Sequence, residues 1–304
     1  MKPHLRLAVI VLTLFTALSG VAAQDSFWLL SYNVRVDFTG ETWANRGPVI
    51  ADTLHEHTPD VILIQEASEW MIAEYQAMLP DYYYLVGERS DGHRGDQPWY
   101  EFVPIFYNPN RFEVAAHGAF WVGEDPDKPG DTLDNTKNHG RTFNWVTLED
   151  RNNGARVAIG NVHIHGQRAE VAVDLLVGRL RAAVGDIPMI LAGDYNSLPE
   201  SLAYQRMVAK DGLGFVDARD IARTVRGQLE TTLGSGESVA SPNLANQPRG
   251  NADKVARRID YVFVSPDVGI EQFEVQKRAV KPGFFASDHF PIWVEVTLPK
   301  SAGK

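Results

Sequence analysis

The chain carries its reactive side chains at the ends of apolar runs. Residues 187–192 form an apolar segment that stops at Gly193, and Asp194 and Asn196 follow directly. The arrangement recurs: residues 27–31 lead to Asn33, residues 60–64 lead to Glu66, and residues 156–165 carry His163. Asp260 stands near the start of the run 258–264, while Asp288 and His289 stand just ahead of the run 292–298. One Asp or Asn after a strand is a common turn former. Polar stations repeated along the chain point instead to one crevice at the strand ends, where open α/β sheets commonly bind ligands.

Carboxylates, amides and imidazoles without a thiol define a narrow chemistry. Oxygen donors suit a hard divalent cation, Mg2+ first and Mn2+ or Ca2+ as alternatives, and their excess weighs against Zn2+. Glu66 is the expected direct ligand, with Asn33 and Asp288 as further oxygen donors. A cation beside imidazoles and an aspartate has the parts that hydrolysis of a phosphate ester needs. These are charge neutralisation, a base for water, and donors for the phosphoryl oxygens.

Hydrophobic patterning supplies the elements that must hold these groups. Strands are expected at 27–31, 60–66, 82–86, 101–107, 112–121, 142–148, 156–165, 187–192 and 258–264, with 270–275 pairing 292–298. The turn Asn152-Asn153-Gly154 joins two of them as a hairpin. Helices are expected at 45–57, 68–78, 168–184 and 201–209. In the third, Val171, Leu175, Leu176 and Leu180 recur at helical spacing. Loops are expected at 90–97, 124–138 and 233–251, the last as a surface loop or mobile flap. His55 and His57, two apart, share no helix face and are expected in solvent.

Residues 1–23 read as a signal peptide: Lys2 and Arg6 precede an apolar run at 7–18, and Val21-Ala22-Ala23 offers small residues for cleavage. The run is short for a membrane span and no later segment approaches one, so export to the periplasm or exterior without stable membrane insertion is expected. No repeat or linker divides residues 24–304, which are expected to form one domain, and no obligate protein partner is evident. The formal net charge is −10, more negative still without Lys2 and Arg6, which weighs against a wide electrostatic footprint on nucleic acid. A bound cation can nevertheless supply local positive charge for a phosphate. With no cysteine, thiolate metal sites and cysteine nucleophiles are excluded.

The stretches Ser31-Tyr32-Asn33-Val34-Arg35, Ile64-Gln65-Glu66, Pro104-Ile105-Phe106-Tyr107, Asn161-Val162-His163, Gly193-Asp194-Tyr195-Asn196-Ser197, Arg258-Ile259-Asp260-Tyr261 and Ser287-Asp288-His289-Phe290-Pro291 span nearly the whole chain after the leader. In type and order they resemble the endonuclease/exonuclease/phosphatase superfamily, the metal-dependent phosphoesterases related to pancreatic-type deoxyribonuclease. The resemblance implies an α/β fold with four layers, two facing mixed sheets flanked by helices. It implies that Glu66 binds the metal with Asn33 beside it, and that Asp288 completes the metal or phosphate site. Asp194 would activate water, ranked ahead of His289 for that role, and Asn196 would orient Asp194 or the phosphate. His289 would contact the scissile phosphate, held by Asp260, while His163 would stabilise the phosphate or leaving group. Arg141, at the start of a strand, stands where relatives often carry a phosphate-facing arginine.

Two departures bear on the substrate. Ile164-His165-Gly166 stands where many relatives carry Leu-Asp-His, and loop 233–251 is longer than usual. Trp99, Trp121, Phe284 and Phe285 fall in or near loops bordering the crevice, where Phe284 and Phe285 either stack a base or sugar or fill the core. Without a basic stripe, a single-stranded nucleic acid or nucleotide is favoured over long duplex. A phosphomonoester or a lipid phosphodiester, as in sphingomyelinases, is the alternative on the same scaffold, and a non-catalytic binding module is a third.

Overall fold

The computed structural model describes residues 26–92, 100–133, 140–242 and 254–299. The expected leader, Trp99 and parts of the three long loops lie outside the described residues. In chain order the elements are β1 (Ser26–Asn33), α1 (Trp43–His55), β2 (Val61–Gln65), α2 (Glu69–Met78), β3 (Tyr83–Leu85), β4 (Ile105–Tyr107), β5 (Phe112–Trp121) and β6 (Thr142–Asp150). There follow β7 (Arg156–His163), α3 (Ala169–Val184), β8 (Met189–Asp194), α4 (Leu202–Val208), β9 (Val216–Asp217), α5 (Ala218–Ile221), β10 (Thr224–Gly227) and β11 (Ser238–Val239). The chain closes with β12 (Asp260–Val264), β13 (Gly269–Val275), β14 (Ala279–Lys281), β15 (Phe284–Phe285) and β16 (Ile292–Thr297).

The strands form a mixed sheet of order β10-β13-β16-β1-β2-β4-β3 and a second of order β5-β6-β7-β8-β12-β9, with a small sheet β11-β15-β14 beside them. Successive strand residues face opposite sides of a sheet. Phe27, Leu29, Val61, Leu63, Ile159, Ile190, Val262 and Val294 meet in one apolar layer between the two large sheets. On the outer face of the first sheet, Leu30, Tyr32, Ile62 and Ile64 pack on Ile50 and Leu54 of α1 and Met71 and Tyr75 of α2. On the outer face of the second, Phe143, Leu191 and Phe263 pack on Val173, Leu176 and Leu180 of α3 and Met207 of α4. Burying each such large side chain contributes roughly 1.5–3 kcal/mol. The result is the expected four-layered α-β-β-α sandwich.

The same alternation builds the site. On β1 the inward phase runs Phe27, Leu29 and then Ser31 and Asn33; on β7 it runs Val157, Ile159 and then Asn161 and His163. On β8 Ile190 and Ala192 give way to Asp194, and on antiparallel β12 Val264 and Val262 give way to Asp260. Asp260 and His163 both stand in register with Asp194. The inner layer thus turns from apolar to polar at one end.

Several local expectations change. Strand β8 continues through Gly193, which is not a turn residue: its φ is 143°, and a Cβ there would lie 1.9 Å from the carbonyl oxygen of Val162. Glycine is needed because β7 approaches too closely for any side chain. His57 is not in solvent, since its ring stacks on Trp28 at 4.3 Å and its Nε2 lies 3.0 Å from Glu274. Its left-handed φ of 56° swings it onto the sheet after α1 ends, which helix periodicity could not reveal. Loop 233–251 contributes β11, which pairs in parallel with β15. Phe284 and Phe285 of β15 are buried and belong to the core, not to an exposed stacking surface. Trp121 is likewise buried, its indole N–H donating to Arg89 O at 3.0 Å.

Candidate active site

Asp194 is the centre of the polar end, almost completely buried. Its Oδ2 accepts from Asn33 Nδ2 at 3.0 Å and faces His163 Nε2 at 3.6 Å and His289 Nε2 at 3.7 Å. Its Oδ1 accepts the backbone N–H of Asn196 at 2.8 Å. Asn196 makes that contact at a φ of 47°, a conformation that Asn tolerates better than most residues. Its side-chain amide donates to Ile164 O at 3.0 Å, tying the β8 exit to the end of β7. Asn196 therefore orients Asp194 through its backbone.

His289 is fixed by the residue expected to fix it. Its Nδ1 lies 2.9 Å from Asp260 Oδ2, and Thr231 Oγ1 donates to that same oxygen at 2.6 Å. Ser287 Oγ donates to Asn33 O at 2.7 Å and accepts from the backbone N–H of His289 at 3.1 Å. Asn33 and His289 come from opposite ends of the chain, so this hydroxyl couples the two halves of the site.

Glu66 and Glu101 form the other flank. Glu66 Oε1 accepts from Asn33 Nδ2 and Oε2 from Val36 N, each at 3.0 Å, pinning a side chain whose own φ is 61°. Such backbone strain in a non-glycine residue costs about 1–2 kcal/mol and clusters at functional sites. Glu101 receives Arg141 Nη1 and lies 2.9 Å from His163 Nδ1. Arg141 Nη1 also lies 3.1 Å from His163 Nδ1. Sequence reasoning assigned Glu101 no role. Its only signal was an acid opening an otherwise apolar strand.

Electrostatics separate the roles. Burial raises the Asp194 carboxyl above the usual carboxylate range, Asp260 adds to the rise, and the two imidazoles offset it only in part. Burial opposes charge on His289, but Asp260 and Asp194 outweigh it and lift the imidazole to about 10. Burial opposes charge on Glu101 too, yet Arg141 and His163 hold it down at about 2. His163 is raised: burial and Arg141 act against its charge, and Glu101 and Asp194 overcome them. A carboxylate raised in basicity beside two imidazoles whose charged forms are favoured divides the site into a base and its cationic partners.

The donor set fits a hard divalent cation. Glu66 and Asp194 converge on the same Asn33 amide, and the ligand atoms of Glu66, Glu101 and His163 lie within 4.8 Å of one another, as do those of Asp194, Asp260 and His289. Oxygen-rich sets of this kind suit Mg2+, Mn2+ or Ca2+. Asp288 stands apart from both groups, its Oδ2 bound to Arg35 Nη1 at 2.8 Å. The fold thus brings together Asn33, Glu66, Arg141, His163, Asp194, Asn196, Asp260 and His289, and turns the Asp288 carboxylate to Arg35.

A sandwich whose strands bring carboxylates, an amide and two imidazoles to one crevice has the parts that hydrolysis of a phosphoester bond needs. The chain belongs to the Endonuclease/Exonuclease/phosphatase family, whose pattern it matches over residues 30–289. The mannosyl-6-phosphatase Bt3783 of Bacteroides thetaiotaomicron is similar in structure, with 25% identity and a TM-score of 0.72 over 89% of this chain and 99% of that one. An endonuclease/exonuclease/phosphatase family protein of the same organism is 26% identical, with a TM-score of 0.72 over 90% of this chain and 98% of that one. The CCR4-Not complex 3'-5'-exoribonuclease subunit Ccr4 of Emericella nidulans is 22% identical over 94% of this chain and 54% of its own length. The chain spans less than two thirds of the length of the curated relatives it matches.

Proposed function

We propose that the chain is an exported, divalent-metal-dependent phosphodiesterase acting on nucleic acid or nucleotides. The observation that carries this reading is the convergence of Asn33, His163 and His289 on one oxygen of buried Asp194. A cation held by Glu66, Mg2+ by preference, would neutralise charge on the phosphoryl oxygens. Asn33, expected as an oxygen ligand, instead donates its amide to Glu66 and turns its own Oδ1 to Arg35 N. Asp194, with its raised basicity, takes the proton of a water that attacks phosphorus in line with the leaving oxygen. His289, cationic through Asp260, holds a non-bridging oxygen as its charge grows. His163, anchored by Glu101 and Arg141, presents Nε2 on the opposite side of Asp194 to the same phosphoryl group or its leaving oxygen. The apolar leader at 1–23 supports export, and residues 24–304 would then be one secreted domain.

A phosphomonoesterase is the second reading, favoured by the likeness to a mannosyl-6-phosphatase. Both share the attack step and differ in whether the phosphoryl group keeps a second ester. Turnover of bis(4-nitrophenyl) phosphate by the purified chain should require a divalent cation and stop with EDTA. Asp194→Asn should lower kcat by about a hundredfold or more, with KM little changed. Turnover insensitive to both treatments would refute the mechanism. A strong preference for 4-nitrophenyl phosphate over the diester would select the second reading.

A further inference from the structure

Two clefts border the crevice, on opposite flanks and with different chemistry. One, of about 180 Å3, opens onto Glu66, Glu101 and Arg141 and is walled by Phe38 and Tyr100. These two rings lie edge to face, 6.3 Å apart, and Arg89 covers the Tyr100 ring at 4.1 Å. The other, of about 490 Å3, opens onto His289 and is lined by Lys254, Val255 and Arg257, with Asp288 at its wall.

The second cleft is cationic in a chain of net charge −10. Its neighbours Arg35 and Arg258 are neutralised by Asp288 and Asp217, at 2.8 Å and 2.6 Å. Lys254 and Arg257 have no such carboxylate among the described residues, and Arg257 is exposed. The ledge that carries Arg257 is nonetheless fastened. Its N–H donates to Thr232 Oγ1 at 2.9 Å, and its carbonyl accepts from Thr231 N at 2.7 Å and Thr232 N at 3.1 Å. Thr231 is also the residue whose hydroxyl holds Asp260, so the cationic ledge and His289 share one support.

Uncompensated cations on a fixed ledge beside a phosphate-handling histidine are placed for a second anion. We propose that Lys254 and Arg257 bind the phosphate next to the scissile one, so that the substrate is a single-stranded oligonucleotide lying across the crevice. The scissile phosphate sits at Asp194, the following phosphate in the cationic cleft, and a base or sugar at Phe38 and Tyr100. A positive groove along the backbone with aromatic contact to bases is how single strands are held without a broad basic surface. This rests on the phosphodiesterase reading above and names its substrate class.

The test compares a thymidine trinucleotide with bis(4-nitrophenyl) phosphate, in Mg2+ and over a range of salt. Lys254→Gln and Arg257→Gln should each raise KM for the trinucleotide roughly threefold, and together about tenfold, as expected for exposed charges. The ratio of kcat/KM for trinucleotide over the small diester should fall with it. The slope of log kcat/KM against log salt should flatten by about 0.7 for each charge removed. Equal losses on both substrates, or an unchanged salt slope, would overturn the proposal. Fluorescence anisotropy of a labelled trinucleotide on Asp194→Asn protein, with and without the two substitutions, reads the subsite without turnover. Undiminished binding there overturns the subsite, whereas absent turnover of the small diester by the wild type overturns the underlying reading instead.

Discussion

Glu101 shows how much one buried side chain can organise. Its carboxylate joins Arg141 to His163: the two basic groups hold the acid ionised against its burial, and the acid in turn favours the charged imidazole against burial and Arg141. Removing one partner of a buried charge set usually costs more than the set itself contributes. Glu101→Gln should therefore lower stability by about 3 kcal/mol, read from the urea midpoint. It should also lower kcat/KM at least about tenfold, because His163 loses the contact that orients Nε2 toward Asp194. A variant that loses stability but keeps full activity would place Glu101 outside the chemistry. Glu101 was hidden in the sequence for a physical reason: its partners lie 40 and 62 positions away, so no local pattern marks it.

At the scale of elements, the strands were legible and their joints were not. An apolar run ending on Asn33, His163 or Asp194 reads directly as a strand delivering a polar group, because period-two alternation continues past the apolar part. Glu66, in contrast, follows β2 in the outward phase and is turned to the site by its own φ of 61°. Gly193 was read as a stop, yet its task is to let β8 lie against β7. Gly193→Ala would drive a Cβ into Val162 O and should cost about 3 kcal/mol, or prevent folding, with loss of soluble yield as the readout. The β1–α1 joint depends on Asp37, which accepts from the N–H groups of Thr39 at 3.1 Å, Gly40 at 2.7 Å and Thr42 at 3.1 Å. Burial opposes its charge, but the Thr42 hydroxyl and these amides lower the carboxyl below its usual range. A depressed folded value contributes stability that is fully present above the unfolded value, about 3.9, and is lost as pH falls through the folded value. The gap in urea midpoint between wild type and Asp37→Ala should thus be wide at neutral pH and close in strong acid. A gap independent of pH would show that the loop does not rely on the charge.

Across the whole molecule, the two large sheets are joined at the site end by amides instead of apolar contact. Asn161 on β7 donates to Ile64 O and Pro104 O, each at 2.9 Å, and accepts from Gln65 Nε2 at 2.7 Å. This bracket lies directly under the crevice, and neither amide was assigned a role from sequence, since facing sheets cannot be paired by inspection of one strand. Asn161→Ala leaves buried polar atoms unpaired and should cost about 2 kcal/mol. Activity should fall with it as the separation between Glu66 and Asp194 loosens, measured as a drop in kcat at temperatures where the variant remains folded. The sheet order has a consequence in time as well as in space. β16 pairs antiparallel with β1, and the segment just ahead of it supplies His289 to the Asn33 end of that first strand. During synthesis, everything from β1 to β15, His289 included, emerges before that pairing can close, so the reacting groups are all made before the strand that seats the last of them. A chain cut before β16 should therefore carry every reacting side chain and still fail to hold His289 beside Asn33.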